Sequence, residues 1–159
     1  MSETDNSNDL ATAARRDADA AETARANRTW WDLEAEEYYA EHGGFLGDDD
    51  FVWGPEGLRE SSARLLGQVR GRRLLEIGAG AAQCSRYAAR QGGRVVATDI
   101  SRGMLRRGAD LNRRFTEQSG LTVPLVQCDA TTLPFADGAF DTVFTSYGAV
   151  PFVADSAAL

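Results

Sequence analysis

Three carboxylates stand at matching places along the chain, and each closes an apolar run. Glu76 follows Leu74-Leu75, Asp99 follows Val95-Val96-Ala97-Thr98, and Asp129 follows Val126-Gln127-Cys128. Two residues after Glu76 comes Gly78, then Ala79 and Gly80, followed by helix-forming residues. A strand that ends in a glycine turn and feeds a helix makes a pocket for a nucleotide-like ligand, because glycine lets the backbone turn tightly and approach it. A carboxylate at such a strand end accepts hydrogen bonds from amines or hydroxyls. Asp99 lies about 20 residues beyond Gly80, the spacing of an acid that takes ribose hydroxyls and repels a 2′-phosphate. Ile100 and Met104 then offer an apolar surface for a flat base, and Asp129 is placed for an exocyclic amine.

These acids act together only if the elements carrying them share one sheet. Strands are predicted over about 73–77, 94–99, 123–128 and 140–145. Helices are predicted over about 81–90 and from Ser101, a capping residue, to Gly120. Pro124 cannot donate to a ladder, so the third strand belongs at a sheet edge. Asp137-Gly138 makes a turn. Strands alternating with helices imply an α/β fold, a doubly wound parallel sheet with helices on both faces. Ligands bind at the carboxyl ends of such strands, where all three acids then face one crevice.

The N-terminal part differs in character. Residues 1–27 are polar and alanine-rich and read as a disordered or loosely helical tail, with no signal peptide or membrane anchor. Residues 28–70 read as a helical cap. Trp30, Trp31, Leu33, Tyr38 and Tyr39 give one helix an aromatic face, with Gly43-Gly44 as its stop. Leu58, Leu65, Leu66 and Val69 suggest a second helix from Pro55 to about Val69. Asp48-Asp49-Asp50 reads as a solvated loop, and the single histidine, His42, as a surface or packing residue.

Taken together, these motifs resemble class I S-adenosylmethionine-dependent methyltransferases of the small-molecule kind, with a Rossmann-like fold. The resemblance runs from about Trp30 onward. It is most specific in Leu74–Ala82, Val95–Ser101, Gln127–Ala130 and Leu133–Asp141. It implies S-adenosyl-L-methionine as cofactor, with Gly78, Ala79 and Gly80 passing beneath its methionine part. Glu76 would organise that loop and the ammonium, and Asp99 would hold the ribose. Ile100 and Met104 would pack on adenine, Asp129 and the Ala130 amide would read its edge, and Ser146 and Tyr147 would line the methionine end. The family often has a third glycine where this chain has Ala82. A nicotinamide-dinucleotide domain is the competing pattern, but it wants glycine where this chain has Gln83. The implied reaction is in-line attack by an acceptor atom on the activated methyl, and no residue stands out as its base.

The resemblance also sets a limit. The family fold has seven strands, and four are legible, in the spatial order three-two-one-four. The residues from 71 onward are therefore expected to form a partial, truncated domain whose fourth strand is an open edge prone to self-association. A cofactor-binding remnant without catalysis is the alternative. Net charge is −7 and every one of the 17 basic residues is arginine. That balance argues against nucleic acid and anionic membranes as partners. Cys84 and Cys128 fit no metal or redox spacing, in keeping with a cytoplasmic protein that needs no metal.

Overall fold

A computed structural model describes residues 17–159, so the polar start of the chain lies outside the described residues. Its centre is a four-stranded parallel sheet of β1 (Arg73–Ile77), β2 (Arg94–Asp99), β3 (Leu125–Gln127) and β4 (Thr142–Phe144). The spatial order is β3-β2-β1-β4. Leu75 pairs with Val96 on one side and Val143 on the other, and Asp99 pairs with Gln127. Parallel pairing in this register brings the carboxyl ends of all four strands to one side of the sheet. Pro124 precedes β3 at the sheet edge, where its carbonyl accepts from Ala97 N–H and its missing donor costs nothing.

The first two crossovers are helices α3 (Gln83–Arg90) and α4 (Arg102–Ser119). Both step the same way across the sheet, so right-handed connections put them on one face. There Cys84, Ala88 and Phe115 pack with Leu74, Val95 and Ala97. On the other face Leu75 and Ile77 are covered by Leu133, Phe135 and Phe140. The return from β3 to β4 is thus a loop carrying apolar side chains, not a helix.

The N-terminal elements depart further from expectation. Helix α1 spans Ala20–Leu46 without a break, from an Asp19 cap that accepts from Glu22 N–H at 2.7 Å to Gly47. Gly43-Gly44 does not stop it. The packing face continues past those glycines, where Leu46 is buried. Tertiary contact outweighs the modest helix penalty of glycine.

The expected helix up to Val69 is only a single turn, α2 (Glu60–Ala63), and Leu58 and Leu65 are exposed. The cause is the buried Glu60 carboxylate. It accepts from Leu65 N–H, Leu66 N–H and Trp53 Nε1 at 2.8 to 2.9 Å, offering the backbone an alternative to the helical ladder.

The acidic loop is not simply solvated either. Asp48 accepts from the Tyr39 hydroxyl, Asp49 pairs with Arg90, and Asp50 pairs with Arg59. The fully buried Arg86 donates its Nε–H to the Asp48 carbonyl at 2.6 Å. Burial lowers the Arg86 pKa, and Glu76 and Asp48 work against that shift. Among the described residues no helix is long and apolar enough to cross a membrane.

Replacing Glu60 by Ala strands three donors at once. Glu60→Ala is expected to cost about 3 kcal/mol in denaturant unfolding, whereas an exposed control, Glu56→Ala, should change stability by less than about 0.5 kcal/mol.

Candidate functional site

The strand ends open onto a cavity of about 480 Å³. All eleven residues singled out from the sequence line it: Glu76, Gly78, Ala79, Gly80, Asp99, Ile100, Met104, Asp129, Ala130, Ser146 and Tyr147. Glycine is required at the first turn. Gly78 has φ +67°, and a Cβ there would meet Ala149 N at 2.9 Å. Gly80 has φ +54° but open space around it. Ala82 also adopts a left-handed conformation, φ 61°, as it leads into α3. The missing third glycine is therefore a strained alanine, at a cost of about 1 kcal/mol.

Asp99 holds this turn in place. Its Oδ2 accepts from Gly80 N–H and its Oδ1 from Ser101 N–H, both at 2.8 Å. Burial raises its pKa, and those two amides work against the rise. Ser101 in turn accepts from Met104 N–H and donates to Asp32 on α1 at 2.8 Å. Asp32 also accepts from Gly103 N–H at 2.9 Å. Burial opposes the Asp32 carboxylate, but the donors from Gly103, Ser101 and Arg102 and the charge of Arg28 leave its pKa below the ordinary value.

Glu76 is 1% exposed, and its Oε2 accepts from Ser85 Oγ at 2.5 Å. Burial lifts its pKa to about 7, against the opposing pull of Ser85 and Arg86. Asp129 spends Oδ1 on a turn, accepting from Thr131 N–H and Oγ1 at 2.8 Å, which leaves Oδ2 outside that turn. Ser146 donates its hydroxyl to the Val52 carbonyl at 2.5 Å, so it ties the cavity wall to the N-terminal segment.

The other wall comes from residues to which the sequence assigned no site role or only a cap role. Trp31, Tyr38, Tyr39 and His42 of α1 line the cavity, whereas Trp30 is 60% exposed. Thr23 and Asn27 line it from the same helix, and Asn27 donates to the Phe152 carbonyl. Phe152 meets Trp31 edge to face at 5.5 Å. Periodicity along α1 marks an aromatic face, but what that face meets is Phe152, near the other end of the chain, a contact that carries no local signal. Gln83 also reaches the cavity, with its buried Oε1 unpaired among the described residues. Among the described residues the lining contains four carboxylates, Glu76, Asp99, Asp129 and Asp155, and no arginine. Such a site suits a ligand carrying positive charge, hydroxyls and an amine, and it opposes an anion.

Comparison with known proteins agrees with this architecture. A family model described as a methyltransferase domain matches residues 74–159. A demethylmenaquinone methyltransferase of Clavibacter sepedonicus is 40% identical over 100 residues, covering 63% of this chain and 37% of the relative. The chain thus spans little more than a third of that protein's length. Among solved structures, phosphoethanolamine N-methyltransferase 1 of Haemonchus contortus matches with a TM-score of 0.59 at 18% identity, over 80% of this chain and 26% of that one. The [4+2]-cyclase SpnF matches with a TM-score of 0.57 at 25% identity, over 81% of this chain and 51% of that one.

The two glycines are expected to respond unequally. Gly80→Ala costs only its strained φ, about 1 to 2 kcal/mol. Gly78→Ala adds a collision with backbone at Ala149, so it should be the more destabilising by at least about 1 kcal/mol in thermal or denaturant unfolding. Equal losses would mean that the loop after β4 does not press on the turn.

Proposed function

This chain belongs to the methyltransferase-domain family, with the class I fold, and from that premise we propose that its cavity binds S-adenosyl-L-methionine for methyl transfer to a small molecule. The observation that carries the reading is the meeting of Glu76, Asp99 and Asp129 around the Gly78–Gly80 turn in one cavity. In this reading the 78–80 backbone lies beneath the methionine part and Glu76 faces its ammonium. Asp99 accepts from the ribose hydroxyls with the lone pairs not given to Gly80 and Ser101. Ile100 and Met104 flank the adenine, and Asp129 Oδ2 with the Ala130 N–H reads its edge. Ser146 and Tyr147 border the methionine end. Residues 28–70, extended by the start of α1, act as a cap over the catalytic segment from residue 71, with Trp31, Tyr38 and Tyr39 excluding water.

When bound, the cofactor supplies a methyl group on a sulfonium, already a good leaving group. The protein's share is position, orientation and exclusion of water. A soluble, cytoplasmic setting accords with this chemistry. The relatives named demethylmenaquinone methyltransferases favour a flat apolar acceptor, as do the aromatic walls.

A second reading, cofactor binding without methyl transfer, is favoured by one observation: a fold neighbour is a cyclase. Self-association along the outer edge of β4, where Val143 is 55% exposed, belongs to that reading and is checked by sedimentation. Transfer of labelled methyl to any acceptor would exclude it.

Glu76 makes cofactor binding pH-dependent. Its folded pKa of about 7 lies above the ordinary 4.5, so the fold favours the neutral acid. The stability this contributes is full below about pH 4.5 and is lost as pH rises through about 7. A ligand ammonium favours the ionised form, which reverses the preference. Affinity for S-adenosylhomocysteine, measured by calorimetry, is therefore expected to fall roughly tenfold from about pH 7.5 to about pH 6, with proton release on binding. Glu76→Gln should bind more weakly and show a flat profile. Tight NAD binding without response to either adenosyl ligand would overturn the assignment.

A further inference from the structure

We propose that the wall formed by α1 and residues 149–158 is an acceptor subsite for a flat, uncharged ring bearing a hydroxyl, and that His42 Nε2 takes the hydroxyl proton. This rests on the cofactor reading above, which fills the acidic half of the cavity. The remaining wall is mostly aromatic and apolar, with Asp155 among its residues. Trp31 stands edge-on to Tyr38 at 5.3 Å and to Phe152 at 5.5 Å, and Leu46 and Val153 extend the apolar surface. Perpendicular rings of this kind leave flat faces against which another ring stacks.

Charge narrows the class. Among the described residues the lining holds four carboxylates and no guanidinium or ammonium. Arg107 lies over the Tyr39 ring at 4.1 Å, but it is not part of the lining. A carboxylate or phosphate on the acceptor would meet like charge with no counter-ion. A protonated amine would sit beside a sulfonium and would carry no free lone pair for attack. An uncharged hydroxyl escapes both penalties.

His42 supplies what that hydroxyl needs. Its ring stacks on Tyr38 at 4.4 Å, and its Nδ1 lies 3.0 Å from the Tyr38 carbonyl. A carbonyl only accepts, so Nδ1 carries a hydrogen, and in the neutral ring Nε2 is then the bare acceptor. As the acceptor oxygen bonds to the methyl carbon, the carbon–sulfur bond breaks with its electron pair left on sulfur. The hydroxyl proton passes to Nε2, and the half-buried ring returns it to solvent. A packing histidine would need neither a place in the cavity lining nor a fixed tautomer.

His42 is the chain's only histidine, so its imidazole signals in a ¹⁵N-histidine-labelled sample need no assignment. The full chain is first titrated with S-adenosylhomocysteine, where absence of binding counts against the cofactor reading alone. It is then titrated, with and without that ligand, with 2-naphthol, 2-naphthoate and 2-naphthylmethylamine. The expected result is the Nδ1–H tautomer, a saturable shift of the His42 resonances with 2-naphthol, and binding at least about tenfold weaker for the other two. Phe152→Leu should weaken 2-naphthol about fivefold or more. An Nε2–H tautomer, no shift with 2-naphthol, or equal or tighter binding of the anion or the amine would overturn the proposal.

Discussion

One carboxylate ties this molecule together. Asp99 receives Gly80 N–H on one oxygen and Ser101 N–H on the other, which joins the glycine turn to the start of α4. Ser101 passes the connection to Asp32, so α1 joins the same relay. Three separate pieces of chain, the glycine turn, the junction of β2 with α4, and α1, meet in a few charge-assisted hydrogen bonds, the strong kind. The floor of the cavity, one of its sides and its cover are thereby held in register. Asp99 has a structural task before it has any ligand.

The electrostatics follow from burial in that frame. Burial raises the Glu76 pKa while Ser85 and the charge of Arg86 oppose it, which leaves its ionisation poised near neutral pH. Arg86 compensates only partly, because its Nε is spent on the Asp48 carbonyl while Nη1 and Nη2 are unpaired among the described residues. A buried acid of this kind is costly to an empty fold and useful to a cationic ligand. The cavity is better matched to a bound state than to an empty one.

The N-terminal segment is where local sequence and final structure part. Gly43-Gly44 is a reasonable helix stop, yet α1 passes through it because Leu46, beyond the glycines, is buried. Leu58, Leu65, Leu66 and Val69 have helical spacing, yet Glu60 captures the amides that a helix would use. The aspartates at 48–50 look like a solvated loop, yet Tyr39, Arg90 and Arg59 each engage one of them. In each case burial or pairing of particular side chains, not local propensity, decides the conformation.

From residue 73 onward the sequence by itself determined the strands, the edge position of β3, the cap at Ser101 and the convergence of Glu76, Asp99 and Asp129. Those features follow from short-range rules: short apolar runs, glycine turns, and the geometry that puts parallel strand ends on one side. Only the tertiary structure decided which face of α1 meets the cavity, that Phe152 closes against Trp31, and that His42 lines the same cavity as the acids. These depend on contacts between residues far apart in the chain, which no local pattern encodes, because the free energy of such a contact exists only once both partners have been brought together.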